Sequence, residues 1–258
     1  MKHLLLVALA AILGTQTSQA QGHDVEYGLF NHLSAGVSVG TDGIGFDVAT
    51  PVTEFAALRA GISFFPGIKY STNINIKDDD PDLTPDVDIE AKAKVFDFKI
   101  LADLYPIKSS SFHFTVGAFM GNGTFASATN TSMFIKDPAK YGKLGLTIGD
   151  YRVTTDDNGY ATIDVKVNKF KPYVGIGFGR AVPRNSRFSV TFDMGVQFWG
   201  TPGLAADTKD DWGNVERHKF KYSDLNDDDD EDLRDALKTA EKITVYPTLS
   251  LRLSGRIL

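Results

Sequence analysis

Eight ionisable side chains alternate with oily ones in this chain: Asp47, Arg59, Asp97, Lys99, Asp103, Asp193, Arg252 and Arg256. Alternate residues of a strand point to opposite faces, so each of these charges shares a face with glycine, serine or another charge. Four carboxylates and four bases on one face support two kinds of chemistry. They neutralise one another as a salt-bridge network, or they line a narrow path for ions. A charge enclosed without a partner costs several kcal/mol, so the balanced count favours the closed network over the path.

Other chemistry is weaker. Two acidic runs, one holding Asp78, Asp79 and Asp80 and the other Asp228, Asp229 and Asp230, offer oxygen ligands to a divalent cation. Neither has the spacing of an EF-hand loop, so solvated, mutually repelling loops are the expectation. Outside the first residues the histidines are His23, His32, His113 and His218. Only His218, beside Glu216, Ser223 and Asp224, lies where a rim-sited lipid hydrolase would want it, and no G-x-S-x-G accompanies it. The expectation is a protein that is not an enzyme and needs no cofactor.

The elements that carry the eight charges are eight candidate strands: Leu33–Gly40, Ile44–Thr50, Ala57–Tyr70, Ala91–Tyr105, Phe112–Phe125, Phe170–Ala181, Arg187–Gly200 and Ile243–Leu258. Their connections alternate in length. PVTEF, PIKSSS and VPRNS are tight, whereas Ser71–Glu90, Ala126–Lys169 and Thr201–Lys242 are long, with Thr41-Asp42-Gly43 the short exception. Outer-membrane barrels have short periplasmic turns and long extracellular loops. A soluble sandwich has no reason to collect its long loops at one end. Within the loops, Asp157-Asn158-Gly159 signals a hairpin joining YRVTT to YATIDVKV. A ten-strand alternative would send that hairpin through the membrane, but Thr154, Thr155, Asp164, Lys166 and Lys169 make it too polar. Asp227–Glu241 has acids first and Leu233, Ala236, Leu237 and Ala240 at helical spacing, which predicts a short loop helix.

Parity also names the oily face. It holds Leu58, Ala60, Ile62 and Phe64, then Phe96, Phe98, Ile100, Ala102 and Leu104. Phe112, Phe114, Val116, Ala118 and Met120 follow, with Phe188, Val190, Phe192, Met194, Val196 and Phe198 after them. No charge interrupts it, as lipid would require, since Lys or Arg there costs roughly 2–4 kcal/mol. Aromatics near strand ends (Tyr70, Tyr105, Phe170, Tyr173, Trp199, Tyr246) are expected to form interfacial girdles.

The N-terminus predicts export. Lys2 and His3 precede the apolar run Leu4–Leu13, and Ser18-Gln19-Ala20 is a small-x-small cleavage site. The expected organisation is a signal peptide over 1–20, a lead-in over 21–30 and a barrel over 31–258. The chain has no cysteine, so disulfides and thiolate metal sites are excluded. With 27 Lys and Arg against 33 Asp and Glu, its acidic balance argues against a nucleic-acid partner.

Four stretches, FDFKILADLYP, FKPYVGIGFGRAV, FSVTFDMGVQFWGTPGL and YPTLSLRLSGRIL, resemble a family of small outer-membrane β-barrel proteins of Gram-negative bacteria. That family is similar in build to the OmpA transmembrane domain and OmpX. The resemblance spans roughly Ala91 to Leu258. It implies insertion by the barrel-assembly machinery and carries no settled activity. The expectation is therefore all-β: an eight-stranded antiparallel up-and-down transmembrane β-barrel with long extracellular loops, monomeric and multi-pass in the bacterial outer membrane. Outer-membrane lipid and lipopolysaccharide are its expected neighbours. Its expected role is structural or surface-interactive, with a narrow porin and a lipid-modifying enzyme as rivals.

Overall fold

The computed structural model describes residues 31–75, 86–133, 135–141, 145–148, 151–209, 214–220 and 231–257. The predicted signal peptide and lead-in, and the acids Asp78, Asp79, Asp80, Asp228, Asp229 and Asp230, lie outside those residues. In chain order the strands are β1 (Ser34–Gly40), β2 (Gly43–Thr53), β3 (Ala56–Phe64), β4 (Ile68–Asn75), β5 (Asp86–Ala93) and β6 (Phe96–Leu104). Then come β7 (Phe112–Gly121), β8 (Thr124–Asn130), β9 (Gly145–Ile148), β10 (Tyr151–Thr154), β11 (Thr162–Lys166) and β12 (Phe170–Phe178). The last are β13 (Phe188–Phe198), β14 (Gly203–Lys209), β15 (Val215–Phe220) and β16 (Val245–Arg256). One helix, α1 (Glu231–Ala240), precedes β16.

Eight of the strands close a barrel in the order β1-β16-β13-β12-β7-β6-β3-β2. Each strand pairs antiparallel with its neighbours in that order, and β1 closes the ring by pairing with both β2 and β16. At Val37, for example, Phe46 stands opposite on one side and Leu253 on the other. The register keeps parity around the ring, so one oily face runs outward. Val37, Phe46, Ile100, Val116, Val174, Phe192 and Leu251 are all exposed, while their neighbours in sequence are enclosed.

A second sheet, absent from the sequence reading, stands on one end of the barrel in the order β4-β5-β8-β11-β14-β10-β9, with β15 on the other side of β14. Three predicted strands are each two: Ala57–Tyr70 breaks at Phe65–Gly67, Ala91–Tyr105 at Lys94-Val95, and Phe112–Phe125 at Asn122-Gly123. The wall bends there without losing its ladder. Phe65 donates to the Val95 carbonyl (2.9 Å), Lys94 to Phe125 (3.2 Å), Gly121 to Lys169 (2.9 Å) and Asn168 to Trp199 (2.8 Å). Gly123 (φ 75°) and Gly200 (φ 69°) make two of the bends in the left-handed region that side chains avoid. The long connections thus supply much of the second sheet.

The Asp157-Asn158-Gly159 hairpin is a correction. The turn forms, with the Asp156 carboxylate accepting from the Asn158 and Tyr160 amides (2.9 and 2.8 Å) and Gly159 at φ 84°. Its flanks do not pair with one another. β10 and β11 instead line up one after the other along β14, Val153 opposite Thr208 and Ile163 opposite Ala206. A two-residue turn signal fixes local chirality, and a partner with a longer ladder decided the pairing. The predicted loop helix is α1, which buries Leu237.

The end of the barrel where β1 begins and β16 ends is closed by its own turns. Tyr105, Ala181 and Val182 are buried there with Ala49 and Ala57. The Tyr105 hydroxyl accepts from the Ala181 amide (3.0 Å), and Ser34 Oγ and Arg252 Nη1 donate to the Ala181 carbonyl (2.7 and 3.0 Å). Arg180 lies over the Tyr105 ring at 4.5 Å and donates to the carbonyls of Lys108 and Ser110.

Candidate functional site

The inward faces of β2, β3, β6, β7, β12, β13 and β16 bring most of the expected charges together. Arg59 on β3 is the hub. Its Nη2 donates to Asp103 Oδ1 at 2.7 Å and its Nη1 to Asp193 Oδ2 at 2.8 Å, with all three side chains 5 % exposed or less. Thr115 donates to the same Asp103 oxygen (2.8 Å). The His113 ring faces an acceptor at each nitrogen, the Ser111 carbonyl at Nδ1 (3.2 Å) and Asp193 Oδ1 at Nε2 (2.9 Å). Gly177 leaves the room for this, since a Cβ there would stand 2.4 Å from the Asp193 carboxylate and 2.6 Å from His113 Nε2.

Arg252 on β16 holds Asp47 on β2 through Nε and Nη2, at 2.8 and 2.5 Å to Oδ1. Such forked contacts are stronger and more directional than a point-charge pair. Nearer the second sheet, Asp97 on β6 accepts both of its bonds from Lys171 Nζ (2.7 and 2.6 Å). Lys99, also expected in the network, forms its hydrogen bond to Ser38 Oγ (3.4 Å). Between these charged layers Leu101, Phe119 and Tyr173 pack together in the lumen.

Two positions differ from the sequence reading. Arg256 has the inward parity, but it is the last residue of β16 and lies beyond the carboxylate layers. It is half-buried, and its Nη1 donates to the Arg184 carbonyl (3.3 Å). The fourth inward base is Lys171, which sequence reasoning missed. The signal was available: Lys171 shares parity with Tyr173, Gly175 and Gly177. Tyr105, Tyr173 and Trp199, expected in interfacial girdles, are instead buried inside.

Asp97, held by Lys171, also lines a cavity of about 340 Å³ at the junction of barrel and second sheet. Trp199 and Tyr246 stack in it with centroids 4.3 Å apart and planes 13° apart, and Phe125 meets Trp199 at 4.9 Å. Phe65, Ile68, Tyr70, Val95 and the β1–β2 turn, Thr41-Asp42, also line it, with Lys92 and Gln197 among its polar groups. Tyr246 pins that turn by donating to the Thr41 carbonyl (2.8 Å). The volume falls in the range of pockets that enclose small organic ligands. The individual aromatics were legible in the sequence. Their convergence was not, because it depends on the bends between paired strands.

His218, the rim candidate for catalysis, sits on β15 opposite Ala206 with its ring against Phe220 (5.0 Å). Ser223 and Asp224 lie outside the described residues. In the second sheet, Asp164 accepts from Ser127 (2.5 Å) and pairs with Lys166 (3.0 Å) and Arg217 (2.6 Å). Burial alone would raise its pKa, but the Ser127 hydrogen bond and the two cations outweigh that and hold it below the usual carboxylate value.

No family model matches the chain, and no curated protein matches it. Among solved structures it is similar to a crystal structure of CarO2 from Acinetobacter baumannii, at 17% identity, covering 87% of this chain and 98% of that one with a TM-score of 0.45. A crystal structure of CarO from the same organism is 14% identical, with 86% and 96% coverage and a TM-score of 0.43.

Proposed function

We propose that this protein is a monomeric barrel of the Gram-negative outer membrane whose role is structural or surface-interactive. The observation that carries the reading is inverted polarity. The barrel's outer wall is a belt of exposed Val, Ile, Leu, Phe and Met, and its interior holds Arg59, Arg252, Lys171 and their carboxylates. A monomeric soluble protein leaves at most a few hundred Å² of contiguous apolar surface in water. A belt around a whole barrel is stable only against lipid. In this reading the tight turns face the periplasm, and the second sheet stands outside the cell beside lipopolysaccharide. Insertion requires the barrel-assembly machinery.

The ion-pair layers support a closed lumen over a porin, because an eight-stranded barrel is just wide enough for its side chains to fill. The protein is not an enzyme in this reading: His113 is enclosed among structural partners, and His218 packs on Phe220. Fractionation tests the placement. Cells expressing the chain are expected to yield it in the outer-membrane fraction, migrating differently on gels before and after boiling. Recovery as a soluble periplasmic protein would overturn the reading. Mass spectrometry of lipid A is expected to show the same species with and without the protein, and a new species would make it an enzyme.

A further inference from the structure

Among the described residues, the polar groups of the cavity at the barrel mouth are few and unequal. Asp97 is saturated by Lys171, which approaches it at 2.6 and 2.7 Å. Gln197 is engaged by the Trp199 indole N–H (3.1 Å). Lys92 is exposed on β5. Among the described residues the other carboxylate of the lining is Asp42, half-buried in the two-residue turn between β1 and β2. It borders both this cavity and the lumen below, and its Oδ1 is enclosed with no hydrogen-bond partner. Lys99, the nearest cation in the lumen below, bonds to Ser38 instead. Burial raises the Asp42 pKa even against the opposing pull of Lys99. A half-buried carboxylate in this state gains from any donor that reaches it.

Around it the wall is aromatic. Trp199, Tyr246 and Phe125 present ring faces and edges, and Phe65 and Val95 close the far side. Aromatic faces attract cations, Trp most strongly, and an apolar body enters such a pocket by replacing water. An anion would be repelled by Asp42, and a purely apolar ligand would bring no donor to that carboxylate. We infer that the mouth cavity binds an amphiphilic organic cation, an aromatic body lying against Trp199 and Tyr246 with its ammonium group on the Asp42 carboxylate oxygen other than the enclosed Oδ1. The Thr41 clamp fixes the turn that carries the acid: Thr41 donates its amide to Leu249 (2.9 Å), and its hydroxyl accepts from the Leu249 amide (3.1 Å). The site lies above the ion-pair layers and does not require an open lumen.

Titration of the folded full-length protein in detergent micelles tests this. The sequence holds two tryptophans, so a Trp212→Phe background leaves Trp199 as the single indole reporter. Phenethylammonium is the probe, and phenylacetate its anionic counterpart of similar shape. The expected result is a saturable change in Trp199 emission with phenethylammonium and none with phenylacetate. Asp42→Asn, which keeps a turn-favouring residue, is expected to weaken binding by about tenfold or more. Equal response to both probes, no saturation with phenethylammonium, or unchanged affinity in a folded Asp42→Asn protein would each overturn the proposal. If Asp42→Asn fails to give a heat-modifiable band, the comparison of the two probes with Asp42 intact decides alone.

Discussion

Arg59 is the residue on which the lumen depends most, because one guanidinium neutralises Asp103 and Asp193 together. Removing one partner of a buried pair leaves the other charge enclosed, at about 3–5 kcal/mol. Arg59→Met is therefore expected to lower unfolding free energy in micelles by that amount, measured by urea titration of the heat-modifiable band. Arg256→Ala, at the half-buried end of β16, is expected to fall within about 0.5 kcal/mol of the parent. Equal losses in the two variants would contradict the assignment of Arg59 as the hub. The contrast also shows what parity in a sequence contains. It gives the face of each residue, so Asp47, Asp97, Asp103 and Asp193 were legible as inward. It does not give depth, so Arg256 looked equivalent to Arg252 until the ladder set their heights.

At the scale of the element, the strands were easier to find than their ends. Apolar residues continue on both sides of Pro66-Gly67 and Asn122-Gly123, so these turn dipeptides read as continuous strand although they mark where the wall bends and a second sheet begins. The Asp157-Asn158-Gly159 turn was legible as a turn. Its flanks joined β14 because that strand offers both a ladder, a choice that local residues do not encode. Asp164 ties this sheet together through Ser127, Lys166 and Arg217. Its folded-state pKa is depressed, so its contribution is present above the unfolded carboxylate value, near pH 4, and is lost as pH falls through the lowered folded value. Hydrogen exchange of β11 and β14 is expected to accelerate across that acidic window in the parent and to lose this step in Asp164→Asn. A step of the same size in the variant would assign it elsewhere. On the barrel's outer face, Leu251→Arg is expected to cost roughly 2–4 kcal/mol in lipid vesicles. In a wall that met water instead, the same change would be neutral or stabilising.

For the whole molecule, the account joins three features: an oily exterior, ion-paired layers across the lumen, and an uneven upper wall that leaves an aromatic cavity at the mouth. The closed eight-stranded barrel was legible because alternation, turn length and face composition agreed. The cavity was not, since it belongs to no single strand. The central claim is that the barrel crosses a membrane with its lumen filled by paired side chains. Single-channel recording tests it most directly, with heat-modifiable protein fused into a planar lipid bilayer from proteoliposomes in which trypsin has confirmed insertion. The account predicts that the inserted protein passes no discrete current steps. Reproducible steps of fixed conductance from the unaltered chain would contradict it.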